Sequence, residues 1–422
     1  MKKKLFLAAA VMLATSATAG GLMTNTNYHI AFDRMMARGA STDIDAAYSN
    51  PAGLAWGYNG FQMSIDFQKP WQNRDIELNG TTYEGKASAP IVPAVFASYK
   101  QDRWALSTMI GIVGSGGFVK YDNGVPMFNV PIAAMLVGQS VTGFTIDSEM
   151  KGKQYIYGGQ LNFTYRLTDW LAAAVGLRAN YYDGYYKGHV TADLAATMRL
   201  VNLQLDCPQT GWGFAPIVSL DFHKGPLTLA TRYEFRTKIE TENDTKELKA
   251  EIAGMSPEQT AAAFGSKIAA YMDGAKTRYD MPALLSVALG YAFTDKLRAT
   301  AEYHYFDDKH AKMSDDRQKT LEGGTNEFLL GAEYDVNDRL TLSLGGQRTD
   351  YGLSDDYQQD TSFACDSYSI GLGGAYNITE KIRLNAGYFI TLYSDYTKAS
   401  ELGAETFSRT NNVIGVGVDF KF

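Results

Sequence analysis

Apolar and polar side chains alternate with a period of two along much of the chain. From residue 413 to the C-terminus, Ile414, Val416, Val418, Phe420 and Phe422 share one parity, and Gly415, Gly417, Asp419 and Lys421 the other. Wound as a helix such a stretch would scatter its apolar groups, whereas as a strand it has one apolar face and one small or polar face. The same period separates Leu340, Leu342 and Leu344 from Thr341 and Ser343, and Tyr303 and Tyr305 from Glu302 and His304. It also sets Leu161, Phe163 and Tyr165 against Gln160, Asn162 and Thr164. The pattern predicts strands near 61–68, 93–99, 104–121, 153–166, 171–188, 212–222, 227–239, 282–293, 297–306, 326–334, 340–351, 367–376, 382–393 and 412–422.

The connections between these strands alternate in length. Short polar ones, rich in Asn, Asp, Gly and Pro, fall at 100–103, 167–169, 223–226, 294–296, 335–339 and 377–380. Long ones cover 69–92, 122–152, 189–211, 240–281, 307–325, 352–366 and 394–411. An even strand number with every long loop on one end is the pattern of an outer-membrane barrel, with tight turns on the periplasmic side. A soluble β-sandwich has no reason to segregate its loops. The expected fold is therefore all-β, a 14-stranded antiparallel transmembrane β-barrel. Aromatics near the predicted strand ends, such as Trp104, Trp170, Tyr181, Tyr182, Tyr185, Tyr186 and Trp212, suit the headgroup level on either side.

The N-terminus supports export. Lys2, Lys3 and Lys4 precede an apolar run that closes on Ala17-Thr18-Ala19, so residues 1–19 read as a signal peptide. After it no segment supplies the ~18 consecutive apolar residues of a spanning helix. Composition adds two facts: 41 Gly and 27 Tyr among 422 residues, and a formal net charge of −7, which argues against nucleic acid as a partner. Residues 20–59 do not alternate and precede the first strand, which divides the chain into signal 1–19, hatch 20–59 and barrel 60–422. Fourteen strands enclose a lumen too wide for wall side chains to fill, so an N-terminal hatch plugging it is physically reasonable.

That segment carries Arg38-Gly39-Ala40 and then Asn50-Pro51-Ala52-Gly53-Leu54, and a later strand opens with Pro282-Ala283 ahead of Leu289-Gly290-Tyr291-Ala292. In these residues, and in its whole architecture, the chain resembles the FadL-type transporters of long-chain fatty acids and aromatic hydrocarbons. Asn50, Pro51 and Ala52 match that family's hatch motif. The resemblance implies passive uptake without cofactor: capture by outer loops, passage past the hatch, and lateral exit where the third strand is kinked. Here that strand holds Gly111, Gly114, Gly116 and Gly117, a cluster that permits a bulge.

Candidate ligand surfaces follow from apolar loop residues that water would disfavour. Met127, Phe128, Ile132, Met135 and Leu136 lie in the loop after the kinked strand. Ser256-Pro257-Glu258-Gln259 has the form of a helix start, placing Phe264, Ile268 and Met272 on one helical face. By parity Arg178, Arg232, Arg236 and Arg298 face the lumen as candidate partners of a carboxylate. Cys207 and Cys365 both fall in outer loops, where a disulfide between them is compatible with export. The five His match no zinc spacing, and no nucleophile-base or paired-carboxylate arrangement is legible. The expectation is a monomeric, non-enzymatic channel of the bacterial outer membrane. Its partners would be hydrophobic small molecules or fatty acids, surrounding lipid, and the outer-membrane assembly machinery that reads the terminal Phe422. The alternatives are a general porin, an adhesion barrel or a barrel lipase or protease.

Overall fold

The computed structural model describes residues 22–89, 91–194, 198–400 and 403–422, without the side chains of 88, 115, 116 and 261–267. The expected signal peptide lies outside the described residues. Among them fourteen wall strands run in sequence: β1 Gly60–Leu78, β2 Val92–Gln101, β3 Trp104–Tyr121, β4 Phe144–Arg166, β5 Leu171–Leu194, β6 Met198–Lys224 and β7 Leu227–Glu234. They continue with β8 Leu284–Ala292, β9 Leu297–Phe306, β10 Thr325–Asp335, β11 Leu340–Asp350, β12 Ser367–Asn377, β13 Ile382–Tyr393 and β14 Gly403–Lys421. Each pairs antiparallel with its chain neighbours. The last closes on the first, from Gln62↔Lys421 to Leu78↔Glu405, so the sheet is a closed barrel.

Alternation places the apolar rows outside. Leu330, Leu344 and Val416 are exposed, while Glu327, Gln347 and Asn411 on the other parity are buried. Several strands are longer than the apolar rows suggest. The segments 69–78, 144–152, 189–194, 198–211 and 403–411 were expected as loops and are ladder-paired strand. The outward residues of β4 explain the difference. From the turn end they are Tyr165, Phe163, Leu161, Gly159, Tyr157 and Tyr155, and then Lys153, Lys151, Glu149 and Asp147. Hydrophobic alternation ends where the strand leaves the bilayer, yet backbone pairing continues into solvent. β7 stops at Glu234, short of the expected 239.

Parity also corrects the aromatic belt. Tyr181 and Trp212 face outward with centroids 4.7 Å apart. Tyr182 and Tyr186 point inward and are buried, Tyr182 stacked on Tyr279 at 5.1 Å.

Among the described residues four α-helices accompany the wall, α1 Ile30–Met35, α2 Ala46–Ser49, α3 Pro126–Gly138 and α4 Pro257–Ala270, and the hatch segment Pro51–Trp56 forms a 3-10 helix. α4 begins as expected, with Ser256 Oγ accepting from Gln259 N–H at 3.2 Å and Gln259 Oε1 accepting from Ser256 N–H at 2.9 Å. α3, expected as an apolar loop, is a helix despite Pro131 in its interior. Its apolar residues lack a clean 3.6-residue stripe because the helix crosses the mouth and meets walls on more than one side.

Candidate functional site: hatch, wall gap and outer crevice

Residues 22–59 fill the lumen and are almost wholly buried. Three anchors hold them. The first is the Asn-Pro-Ala segment. Asn50 Nδ2 donates to Asp221 Oδ2 at 2.9 Å and Ala52 N–H to Ser219 Oγ at 3.0 Å, while Thr164 Oγ1 donates to the Pro51 carbonyl at 2.7 Å. The motif thus fastens the hatch to the inner faces of β4 and β6. Asp221 also accepts from Trp56 Nε1 at 2.8 Å.

The second anchor seats α1 on β10–β14. The inward row there contains Gly331, Gly345, Gly371, Gly387 and Gly415. A Cβ at Gly345 would overlap the Met35 carbonyl, and one at Gly387 would stand 2.9 Å from Asp33 Cβ. The helix therefore docks against bare backbone. Buried ion pairs fix its register: Arg34 meets Glu333, and Arg38 meets Asp45 at 2.6 Å and Glu333 at 3.4 Å. The backbone N–H groups of Arg38 and Gly39 both donate to Glu302 Oε2 at 2.8 Å.

The third anchor lies at the kinked strand. β3 pairs with β4 along its whole length, but the register slips between Ile112 and Gly114 and again between Ser115 and Gly117, two bulges within six residues. Towards β2, the β3 ladder runs only to Val95↔Ile110. It resumes at Ser88↔Phe118, where the short strand Gly85–Ser88 takes the place of β2. Between these points β3 has no ladder partner on that side among the described residues. The hatch supplies substitutes from within: Asn25 N–H donates to the Val113 carbonyl at 3.1 Å, Tyr28 Oη to the same oxygen at 2.9 Å, and Asn25 Nδ2 to the Ile112 carbonyl at 3.2 Å. Backbone groups freed by the gap are therefore satisfied by hatch residues rather than by a neighbouring wall strand. Gly114 is needed for this approach, since a Cβ there would lie 2.6 Å from the Met23 carbonyl.

The outer mouth is apolar. Phe128, Ile132, Met135 and Leu136 of α3 are buried in one cluster with Tyr121, Met150, Tyr186, Val190, Phe363 and Phe407, and Met127 packs against it half-buried. Beside the cluster opens a crevice of about 90 Å³ lined by Phe128, Met150, Val190, Leu203, Leu205, Leu248, Ile268 and Tyr271, with His189, Gln204 and Lys249 also on its walls. Of the expected ligand residues, Phe128 and Ile268 line it. Met272 is 55% exposed and is not among the lining residues. The side chain of Phe264 lies outside the described residues. The start of α3 is held from the 351–366 loop, where Asp360 Oδ2 accepts from Met127 N–H at 2.6 Å. Burial, reinforced by Glu405, pushes the Asp360 carboxyl up to about 7.

The four expected lumen cations are all engaged. Arg178 and Arg232 are buried on Glu234, Arg232 lies 4.3 Å from the Tyr48 ring, and Arg298 pairs with Glu333 at 2.9 Å and Asp335 at 2.7 Å. Arg236 is half-buried and donates to the His310 carbonyl. Cys207 and Cys365 are free, buried thiols. Thr245 Oγ1 donates to the first at 3.3 Å and the second contacts the Phe407 carbonyl, so the disulfide that export would permit between them is not formed here.

Sequence reasoning missed the carboxylates Asp221, Glu302 and Glu333, although their inward parity was readable. It also misses the crevice wall from β5 and β6, because the residues of that wall lie in a segment whose pattern predicts a loop.

These features define a fourteen-stranded outer-membrane β-barrel with a luminal hatch. Residues 253–422 match the model of the outer membrane protein beta-barrel domain. A Pseudomonas aeruginosa FadL homologue superposes with a TM-score of 0.70 at 14% identity, over 96% of this chain and 100% of that one. The toluene transporter TodX of P. putida gives 0.58 at 13% identity over 90% and 95% of the two chains. The toluene transporter TbuX of Ralstonia pickettii gives 0.57 at 15% over 90% and 94%. The chain thus has the fold of the FadL-type transporters. No curated protein sequence matches it.

Proposed function

We propose that the protein is a passive channel that moves small hydrophobic molecules across the outer surface and releases them sideways into the membrane. The ligand enters at the crevice beside α3, passes into the lumen as α3 and the hatch N-terminus shift, and leaves through the wall between β2 and β3. The observation that carries this reading is the interrupted β2–β3 ladder, where the Ile112 and Val113 carbonyls accept from Asn25 and Tyr28 of the hatch instead of from a wall strand. A hydrophobic solute gains nothing from crossing aqueous periplasm when lipid lies beside the gap, so lateral release needs no energy source. The fold shared with transporters of toluene supports the same reading.

The gap can be stapled. A Cβ at Gly111 would lie 3.5 Å from Ala94 Cβ, within disulfide geometry. The double variant Ala94→Cys, Gly111→Cys is expected to block uptake of a hydrophobic tracer by cells when oxidised, and to regain it on reduction. Undiminished uptake through the oxidised barrel would remove the lateral route.

A further inference from the structure

Lysines crowd one sector of the outward face of the wall. Lys86 of the short strand Gly85–Ser88 is the direct ladder partner of Lys120 on β3, Lys120 of Lys151 on β4, and Lys151 of Lys187 on β5. Lys153 stands one outward rung nearer the membrane, opposite Phe118, and Lys69 points outward from β1. Like charges directly opposite each other on a ladder repel, so sheet packing alone disfavours such a row. Among the described residues, the outward rows of β8–β14 carry Arg348 as their one cation.

The crowded sector is the one that holds the wall gap. Beyond the gap the β3 ladder resumes at Ser88↔Phe118, and Lys86↔Lys120 lies two residues further out. Lys69 reaches the gap from β1: its Nζ donates at 2.9 Å to the carbonyl of Ala89, in the stretch between Ser88 and β2. Phe61, near the turns, shares the first outward rung of β1 with Tyr99. From there to Lys69, at ~3.3 Å per residue and a tilt of ~40°, β1 rises about 20 Å of the ~25 Å apolar band. Lys69 thus leaves the wall just below the outer edge of the hydrocarbon, and its flexible stem carries the ammonium up to headgroup level.

Carboxylates answer only part of this charge. Lys120 pairs with Asp122 and, at 2.8 Å, with Glu149; Lys151 shares Glu149. Lys153 pairs with Asp183 at 2.8 Å and Lys187 with Asp206 at 2.6 Å. Asp75 of β1 accepts from Gly85 N–H at 3.2 Å, and Glu84 is exposed. Lys69 and Lys86 are exposed and make no ion pair among the described residues.

We infer that Lys69 and Lys86, with Lys120 and Lys153 beside them, bind the phosphate headgroup of an outer-leaflet lipid, whose acyl chains then lie over the wall gap. Each basic residue at a membrane surface adds to the attraction for anionic lipid. A lipid is the occupant that joins this charge to apolar chains, and the exposed neighbours on the same face, Phe67, Trp71 and Ile91, are apolar. The covering role rests on the reading of the gap as the exit. The binding itself does not, so the two can fail separately.

The test is native mass spectrometry of the full chain in non-ionic detergent. The probe is lipid A, a phosphorylated glycolipid, used intact and after removal of its phosphates. The variants are Lys69→Gln combined with Lys86→Gln, Lys69→Arg combined with Lys86→Arg, and Lys319→Gln in the 307–325 loop, with folding checked by heat-modifiable gel migration. The wild type is expected to prefer the phosphorylated form, and the Gln pair to lose about tenfold or more of that affinity. The Arg pair and Lys319→Gln keep it. Equal binding of the two forms by the wild type, unaltered binding by the Gln pair, or equal loss of both forms overturns the site. Inorganic phosphate that competes at the lipid's own concentration would make this a free-anion site and overturn the lipid. Cells with the Gln pair are expected to take up a hydrophobic tracer faster, because lipid is no longer held over the gap. An unchanged rate overturns the covering role, while the Ala94→Cys, Gly111→Cys staple tests the route itself.

Discussion

Gly345 shows how one missing side chain positions the hatch. Its neighbours in the inward row are equally bare, and α1 lies so close that a Cβ would overlap the Met35 carbonyl. Gly345→Val is expected to cost about 1–3 kcal/mol through overpacking, paid where α1 docks rather than within the wall. The check is planar-bilayer recording: the variant should show ionic openings that the wild type lacks, while the barrel still migrates as folded. Asp360 makes a different residue-scale prediction. Its folded carboxyl titrates near 7, above the unfolded value, so the folded loop holds a proton that the unfolded chain releases. The stability this confers is full below about pH 4 and is lost as pH rises through 7. Asp308, raised to about 7 chiefly by burial, acts in the same direction. Amide exchange in α3, corrected for intrinsic rates, should be better protected at pH 5 than at pH 8. Asp360→Asn, which can still accept from Met127 N–H, should flatten that difference.

Among the elements, β3 and α3 are the irregular ones, and both lie on the proposed path. Two bulges in one strand leave backbone groups that a regular ladder would have used, and the hatch N-terminus takes them up. The wall is therefore closed there by a segment anchored through hydrogen bonds to Asn25 and Tyr28. The stapled Ala94→Cys, Gly111→Cys barrel tests that element as a unit. α3 closes the other end through apolar contacts with several strands, and near its N-terminus Met127 N–H donates to Asp360 while Asn129 accepts from Ser148 Oγ of β4 and donates to the Asn123 carbonyl. An element held by hydrogen bonds near its N-terminus and by non-directional packing along the rest is suited to movement of its C-terminal part when a greasy ligand competes for the same surface.

For the whole molecule, the barrel and hatch are two structures with different kinds of bonding. The wall is a closed barrel of backbone ladders, interrupted between β2 and β3, whereas the hatch is joined to it by buried ion pairs and a few hydrogen bonds. Glu333 serves Arg34, Arg38 and Arg298 at once. Removing it strands buried cations, at about 3–5 kcal/mol for a broken buried pair. Deletion of residues 22–45 is expected to leave a folded barrel that conducts ions, since fourteen strands enclose a lumen wider than their side chains fill. A deleted form that stays closed in planar bilayers would mean that α3 and the outer loops alone seal the pore.

The wall was legible in the sequence because strand periodicity is local. Each residue's parity states which face it takes, so the fourteen strands, the turns, the cap of α4 and the inward position of Asp221, Glu302 and Glu333 could all be read without knowing any partner. The bulge-prone glycines of β3 were legible for the same reason. Strand ends were not, because the apolar row marks the bilayer while the ladder depends only on backbone. Nor could the sequence say what the inward residues meet. That Asn50 bonds Asp221, that Arg178 and Arg232 are already spent on Glu234, that Cys207 and Cys365 stay apart, and that Arg74 stands opposite Arg409 are contacts between residues distant in the chain. Only closure of the barrel around its own N-terminus brings them together, and that closure decides which partner each luminal charge meets.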